Sequence, residues 1–238
     1  MKNYILLILL ALSFGSCSTY QYITLDSPQT QKNDRKEFVW ENDSLKLVYN
    51  FHGEGGPLNL TVYNKLNEPL YVNWKKSALI RDGQSISLFN RSVIVNRIAT
   101  PYQEVKNNPN LYPGLSATFE LPEGIEFISP ASYVSKALLD IQELGLGNLP
   151  GSDSLRPQKY SQNGMVTGKF TRARFDESQS PLRFSTYLTF MVGQHIDKEF
   201  AVQHSFYAKE ILQTHDEPDL FALYNSAGDK WYVKQPAQ

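Results

Sequence analysis

Few residues in this chain have the types and spacing that chemistry needs. Asp216, Glu217 and Asp219 flank Pro218 beside His215, and such a cluster could offer oxygens to calcium or, together with Glu54, the acid and base of a polysaccharide hydrolase. The cluster lacks the regular ligand spacing of a calcium loop and has no turn glycine, so a solvated connection between strands explains it as well. Trp74, Lys75 and Lys76 set two ammonium groups beside an indole. That combination suits a ligand edge for acidic or sugar groups, and equally a strand end whose lysines discourage edge pairing. The histidines, His52, His195, His204 and His215, show no zinc-site spacing, and His204 alternates in phase with Phe200, Val202 and Phe206 as a core residue would. Gly53-Glu54-Gly55-Gly56 is followed by Pro57 and an alternating segment, which makes a hairpin turn of it; a phosphate loop needs a helix there. No Gly-x-Ser-x-Gly, Ser-x-x-Lys or His-Glu-x-x-His occurs, so no cofactor or metal is implied and the motifs weigh against an enzyme.

The single cysteine, Cys17, follows Lys2, an apolar run over residues 5–12 and the small, turn-prone Gly15-Ser16. This reads as an export signal over residues 1–16 whose removal leaves a thiol at the new N-terminus. A lone cysteine cannot close an intrachain disulfide, but an N-terminal one can carry a thioether-linked lipid. Diacylglycerol plus an amide-linked chain such as palmitate exceeds the single acyl chain that gives only marginal anchoring. The apolar run is far shorter than the ~20 residues of a membrane-spanning helix. An ordinary secretory signal with an incidental cysteine is the alternative.

Removing 16 of 238 residues leaves 222, enough for one large β domain. Lys and Arg total 23 against 24 Asp and Glu, so no cationic field exists to hold nucleic acid. Aromatic residues make up 13% of the chain and favour pleated surfaces. Residues 17–36 are rich in Gln, Thr, Ser and Asn and read as a lipid-anchored tether, with the domain over residues 37–238. Within it, Leu45, Leu47, Tyr49 and Phe51 alternate with polar residues, and so do Leu58, Leu60 and Val62, which predicts a hairpin. Further strands are expected over residues 69–74, 85–89, 115–121, 125–129, 184–190, 200–206 and 230–233, with Asp82-Gly83 as a tight turn. Residues 96–116 and 145–164 read as long loops. Residues 129–145 fit either a capped helix or a strand followed by a short helix. The sum is a mostly β chain, an antiparallel β-sandwich with at most one or two short helices.

The residues before Cys17 resemble the lipobox of bacterial lipoproteins, with Gly15 and Ser16 at its two preceding positions. Asp43-Ser44-Leu45 and Asp153-Ser154-Leu155 resemble the Asp-Ser/Thr-aliphatic acceptor of O-glycosylation in Bacteroidetes, which would modify Ser44 and Ser154; each pair also suits the start of a strand or turn. Together with residues 64–74 and 180–189, these pieces look like exported lipoproteins of the Bacteroidetes with an immunoglobulin-like sandwich. The resemblance implies a membrane partner through the lipid, a protein or glycan partner for the sandwich, and, with Ser18 after the cysteine, outer-membrane sorting with the periplasmic face favoured. It carries no catalytic residue across.

Overall fold

The computed structural model describes residues 18–89, 123–144, 156–162, 165–193, 199–221 and 223–235. Cys17, Ser154, His195, the strand expected at 115–121 and the loop expected at 96–116 lie outside them. Sixteen strands are found among the described residues. The first eight are β1 (Thr19–Asp26), β2 (Gln31–Lys32), β3 (Phe38–Glu41), β4 (Leu45–Asn50), β5 (Gly53–Glu54), β6 (Pro57–Asn64), β7 (Leu70–Asn73) and β8 (Ala78–Arg81). The others are β9 (Gln84–Ser87), β10 (Ile125–Ile128), β11 (Tyr133–Asp140), β12 (Arg156–Gln162), β13 (Met165–Arg174), β14 (Arg183–Val192), β15 (Glu199–Thr214) and β16 (Lys230–Gln235). Among the described residues, helix is confined to short 3-10 turns. The expected β-sandwich is the observed architecture. An immunoglobulin domain carries about seven to nine strands, fewer than are described here.

Two sheets face each other. The smaller runs β11-β6-β4-β3-β2, and the larger has the path β10-β7-β14-β15-β1-β16-β5 with β8, β9, β12 and β13 attached to its sides. Period-two alternation decides which residues point between them. Leu45, Leu47, Tyr49, Leu58, Leu60 and Val62 from the small sheet meet Leu70, Val72, Phe184, Leu188, Phe190 and Phe206 from the large one, all at most 4% exposed. Aromatic edges bridge the layers, with Phe51 and Phe206 centroids 5.2 Å apart and Tyr49 and Phe206 5.1 Å apart.

The 16-residue β15 organises the large sheet. Along one edge it pairs with β14 through residues 199–207 and then with β13 through residues 210–213; β1 takes its other edge. β14 in turn holds β7 and β8 end to end, separated by the 3-10 turn Trp74–Lys76.

Two expectations are corrected. Residues 19–26 of the expected tether are the strand β1, which lies in the middle of the large sheet between β15 and β16, with Ile23 and Leu25 fully buried. Its polar composition misleads because Tyr20 and Tyr22 face the other side, where they join Phe170, Leu212 and Phe221 in a second apolar cluster. Of the two readings of residues 129–145, the strand followed by a short helix is the one found: β11 pairs with β6 and a 3-10 turn follows over Ile141–Leu144. The loop expected at 145–164 contains β12, paired with β13.

Candidate functional site

The described surface is indented on the outer face of the large sheet, in a groove of about 450 Å³ lined by Lys75, Lys76, Ser77, Ala78, Ile80, Ser85, Ser87 and Tyr187. Its floor follows from strand register. Ala78 stands opposite both Tyr187 and Ser87, and Ile80 opposite both Ser185 and Ser85, so these side chains share one face. Leu79 and Thr186, between them, point into the core. The β8–β9 hairpin turns tightly at Asp82 (φ 50°) and Gly83 (φ 79°), the paired positive φ values of a type I′ turn, as their Asp-Gly sequence predicts.

The turn carrying the lysines is fixed on both sides. Asn73 Oδ1 accepts from the Lys76 backbone N–H at 3.3 Å, and the Ser77 hydroxyl donates to the Asn73 carbonyl at 2.7 Å. The Thr189 N–H donates to that Ser77 hydroxyl at 3.0 Å, while the Thr189 hydroxyl donates to the Lys76 carbonyl at 2.8 Å. Lys75 and Lys76 therefore start from a backbone pinned to β14.

Trp74 stands apart from them. Its ring is 2% exposed, its indole N–H donates to Glu126 at 2.6 Å, and Lys136 lies over it at 4.9 Å. Of the three residues read as a ligand edge, the two lysines line the groove and the indole belongs to the core.

Both ammonium groups have carboxylate partners. Lys76 Nζ lies 2.5 Å from Glu199, and Lys75 Nζ lies 3.4 Å from Glu123 and 5.3 Å from the Phe89 centroid. The Lys76 hydrogen bond, assisted by one from Asn73, outweighs desolvation and holds the Glu199 carboxyl below its ordinary value. The groove thus combines an apolar floor, the Ser85 and Ser87 hydroxyls, a Tyr187 ring that is 38% exposed, and cations already balanced. Such a surface can stack and hydrogen-bond a polar ligand.

The other sequence candidates do not gather here. Glu54 is exposed on the edge strand β5. Asp216 accepts from the Thr214 hydroxyl at 3.0 Å, and Glu217 from the Tyr20 hydroxyl at 3.3 Å. Among the described residues no three His, Cys, Asp or Glu side chains form a metal-binding group. His52 faces the Tyr224 hydroxyl at 3.2 Å, and His204 is buried against Tyr49 at 2.8 Å. Ser44 is half-buried in the turn between β3 and β4.

Sequence reasoning missed Tyr187, Ser85 and Ser87 as a group. The available signal was the phase of Tyr187, an aromatic residue on the polar face of a strand whose alternate positions are core. Comparison with protein-family models, curated proteins and solved structures finds no match for this chain.

Proposed function

We propose that the chain is a non-enzymatic binding protein, lipid-anchored through Cys17 to the outer membrane with the periplasmic face favoured, whose sandwich holds a glycan in the groove beside Tyr187. The observation that carries this is the groove's composition. An exposed phenol ring over an apolar floor gives a sugar ring a stacking surface, and the serine hydroxyls at the rim can meet its hydroxyls. The carboxylates of Glu123 and Glu199 beside the groove are paired with Lys75 and Lys76, so among the described residues no free acid and base pair stands there for glycoside chemistry. The hydrolase alternative has no comparable observation in its favour, because Glu54, Asp216 and Glu217 lie away from this groove.

The test is calorimetric titration of the mature domain with a panel of neutral and uronic-acid oligosaccharides. Binding to a member of the panel is expected, and Tyr187→Ala should weaken it about tenfold, the loss of one aromatic contact of ~1.4 kcal/mol. Absence of binding across the panel, or unchanged affinity in Tyr187→Ala, overturns the assignment.

A further inference from the structure

β1 begins at Thr19, two residues beyond Cys17. Two residues reach at most about 7 Å, and the Ser18 carbonyl is itself held 3.2 Å from His215 Nδ1. Resting on the reading that Cys17 is acylated, we propose that the end of the large sheet around Thr19 sits directly on the lipid headgroup layer, with the groove pointing away from the membrane.

The surface at that end fits an anionic headgroup layer. Thr214 pairs with Tyr20, and its hydroxyl donates to the Lys169 carbonyl at 3.0 Å, so Lys169 lies level with the start of β1. Lys159 stands directly opposite Lys169 on the neighbouring strand, and both are exposed. Directly opposed like charges repel, and neither lysine forms an ion pair among the described residues. Lipid phosphates relieve that repulsion. Lys234, opposite Tyr20 on β16, adds a third exposed cation. Asp216, Glu217 and Asp219 lie in the adjoining loop, where Thr214 and Tyr20 donate to the first two. In the same loop Leu220 is 73% exposed, next to a Phe221 that is buried 4.7 Å from Tyr22. It offers an apolar tip at headgroup depth.

The groove is remote from this end. Tyr187 pairs with Gln203, eleven residues back along β15 from Thr214. At ~3.3 Å per residue the separation is about 36 Å. Anchor and groove therefore occupy opposite ends of one continuous strand.

The test uses the mature acylated chain in phosphatidylethanolamine–phosphatidylglycerol vesicles. Leu220→Cys and Ser85→Cys are each labelled with a fluorophore, the thioether at Cys17 leaving one free thiol in each. A headgroup-attached quencher should reduce emission several-fold at position 220 and leave position 85 unchanged. A Gly-Ser insertion between Ser18 and Thr19 should relieve the quenching. Equal, weak quenching at both sites in a protein whose mass includes the acyl chains overturns the docked orientation and leaves acylation standing. A free Cys17 thiol with no flotation on vesicles overturns both. Lys159→Cys repeats the near-membrane measurement if Leu220→Cys does not fold.

Discussion

The Tyr49 hydroxyl lies 2.8 Å from His204 Nδ1 between the two sheets, and the Thr186 hydroxyl donates to that same phenol oxygen at 3.3 Å. A phenol that accepts from Thr186 has its own proton to give to Nδ1, which places the histidine proton on Nε2. The small sheet supplies Tyr49 and the large sheet supplies the other two, so this polar chain fixes how the layers register. Replacing Tyr49 with Phe strands His204 Nδ1 without a partner in a site of 1% exposure. An unsatisfied buried polar group costs about 1–3 kcal/mol. Urea unfolding of Tyr49→Phe should show a stability lower by that amount, read as a lower midpoint at unchanged slope; wild-type stability would show that ring packing against Phe206 suffices.

Protonation gives the same triad a pH signature. Burial pushes the His204 pKa down to about 4, against ~6.5 in an unfolded chain. Between those values the unfolded state binds a proton that the folded state refuses, so stability falls as pH falls from about 6.5 towards 4. One proton corresponds to a slope of up to ~1.4 kcal/mol per pH unit. His204→Gln should flatten the curve in that window. Asp26 acts lower: burial opposes its ionisation, but the Lys209 hydrogen bond and nearby Lys32 hold its carboxyl below the ordinary value, and that stability is lost only as pH drops through the carboxylate range. Denaturant titrations at several pH values check both, and a wild-type curve that is flat above pH 4.5 would refute the histidine assignment.

The Lys32–Asp229 pair closes the edge of the sandwich. Lys32 Nζ is 2.7 Å from Asp229 Oδ2, donates to the Leu25 carbonyl at 2.9 Å and lies over the Phe38 ring at 4.9 Å. Asp229 is only 5% exposed. Lys32→Met leaves its carboxylate without that cation. Breaking a fully buried pair costs about 3–5 kcal/mol, and because the Lys32 side chain is 23% exposed, about 2–3 kcal/mol is expected. Lys32→Met with Asp229→Asn should recover part of the loss, and equal destabilisation in the single and double variants would argue against the pairing.

Gly56 is held by contact as well as by conformation. Its φ is +69°, and a Cβ there would stand 2.7 Å from the indole of the fully buried Trp231. Gly83 has a similar φ of +79° with nothing within 4 Å of its Cβ position. Both alanine variants meet the left-handed backbone cost of ~1–2 kcal/mol, but only Gly56→Ala adds overpacking of about 1–3 kcal/mol. Thermal melts should rank Gly56→Ala well below Gly83→Ala, and equal melting temperatures would refute the close approach to Trp231.

Much of the sandwich was legible because its strands each bury one face. β4 and β6 alternate strictly, and Asp82-Gly83 announces its own turn. β1 was not legible because it buries both faces, with tyrosines on one side and Ile23 and Leu25 on the other, so the alternation between apolar and polar disappears. Gln21 is buried among them and takes a hydrogen bond from the Gln235 side chain at 3.1 Å. The groove was half legible. Lys75 and Lys76 stand out locally, whereas Tyr187 reaches them only through the pairing of β8 with β14, a relation between segments about a hundred residues apart.

That same double burial makes the amino-terminal segment indispensable. Tyr20, Tyr22, Ile23 and Leu25 are each at most 6% exposed, and burying a large apolar side chain stabilises by about 1.5–3 kcal/mol. Four of them amount to roughly 6–12 kcal/mol, comparable to the entire net stability of about 5–15 kcal/mol of an ordinary domain. Deleting residues 18–32 would also bare the edges of β15 and β16 that β1 now pairs. The shortened chain should lose its cooperative thermal transition and self-associate on a sizing column, since unpaired strand edges are templates for aggregation. A monomer that still melts cooperatively within a few degrees of the mature protein would restore the tether and remove β1 from the core.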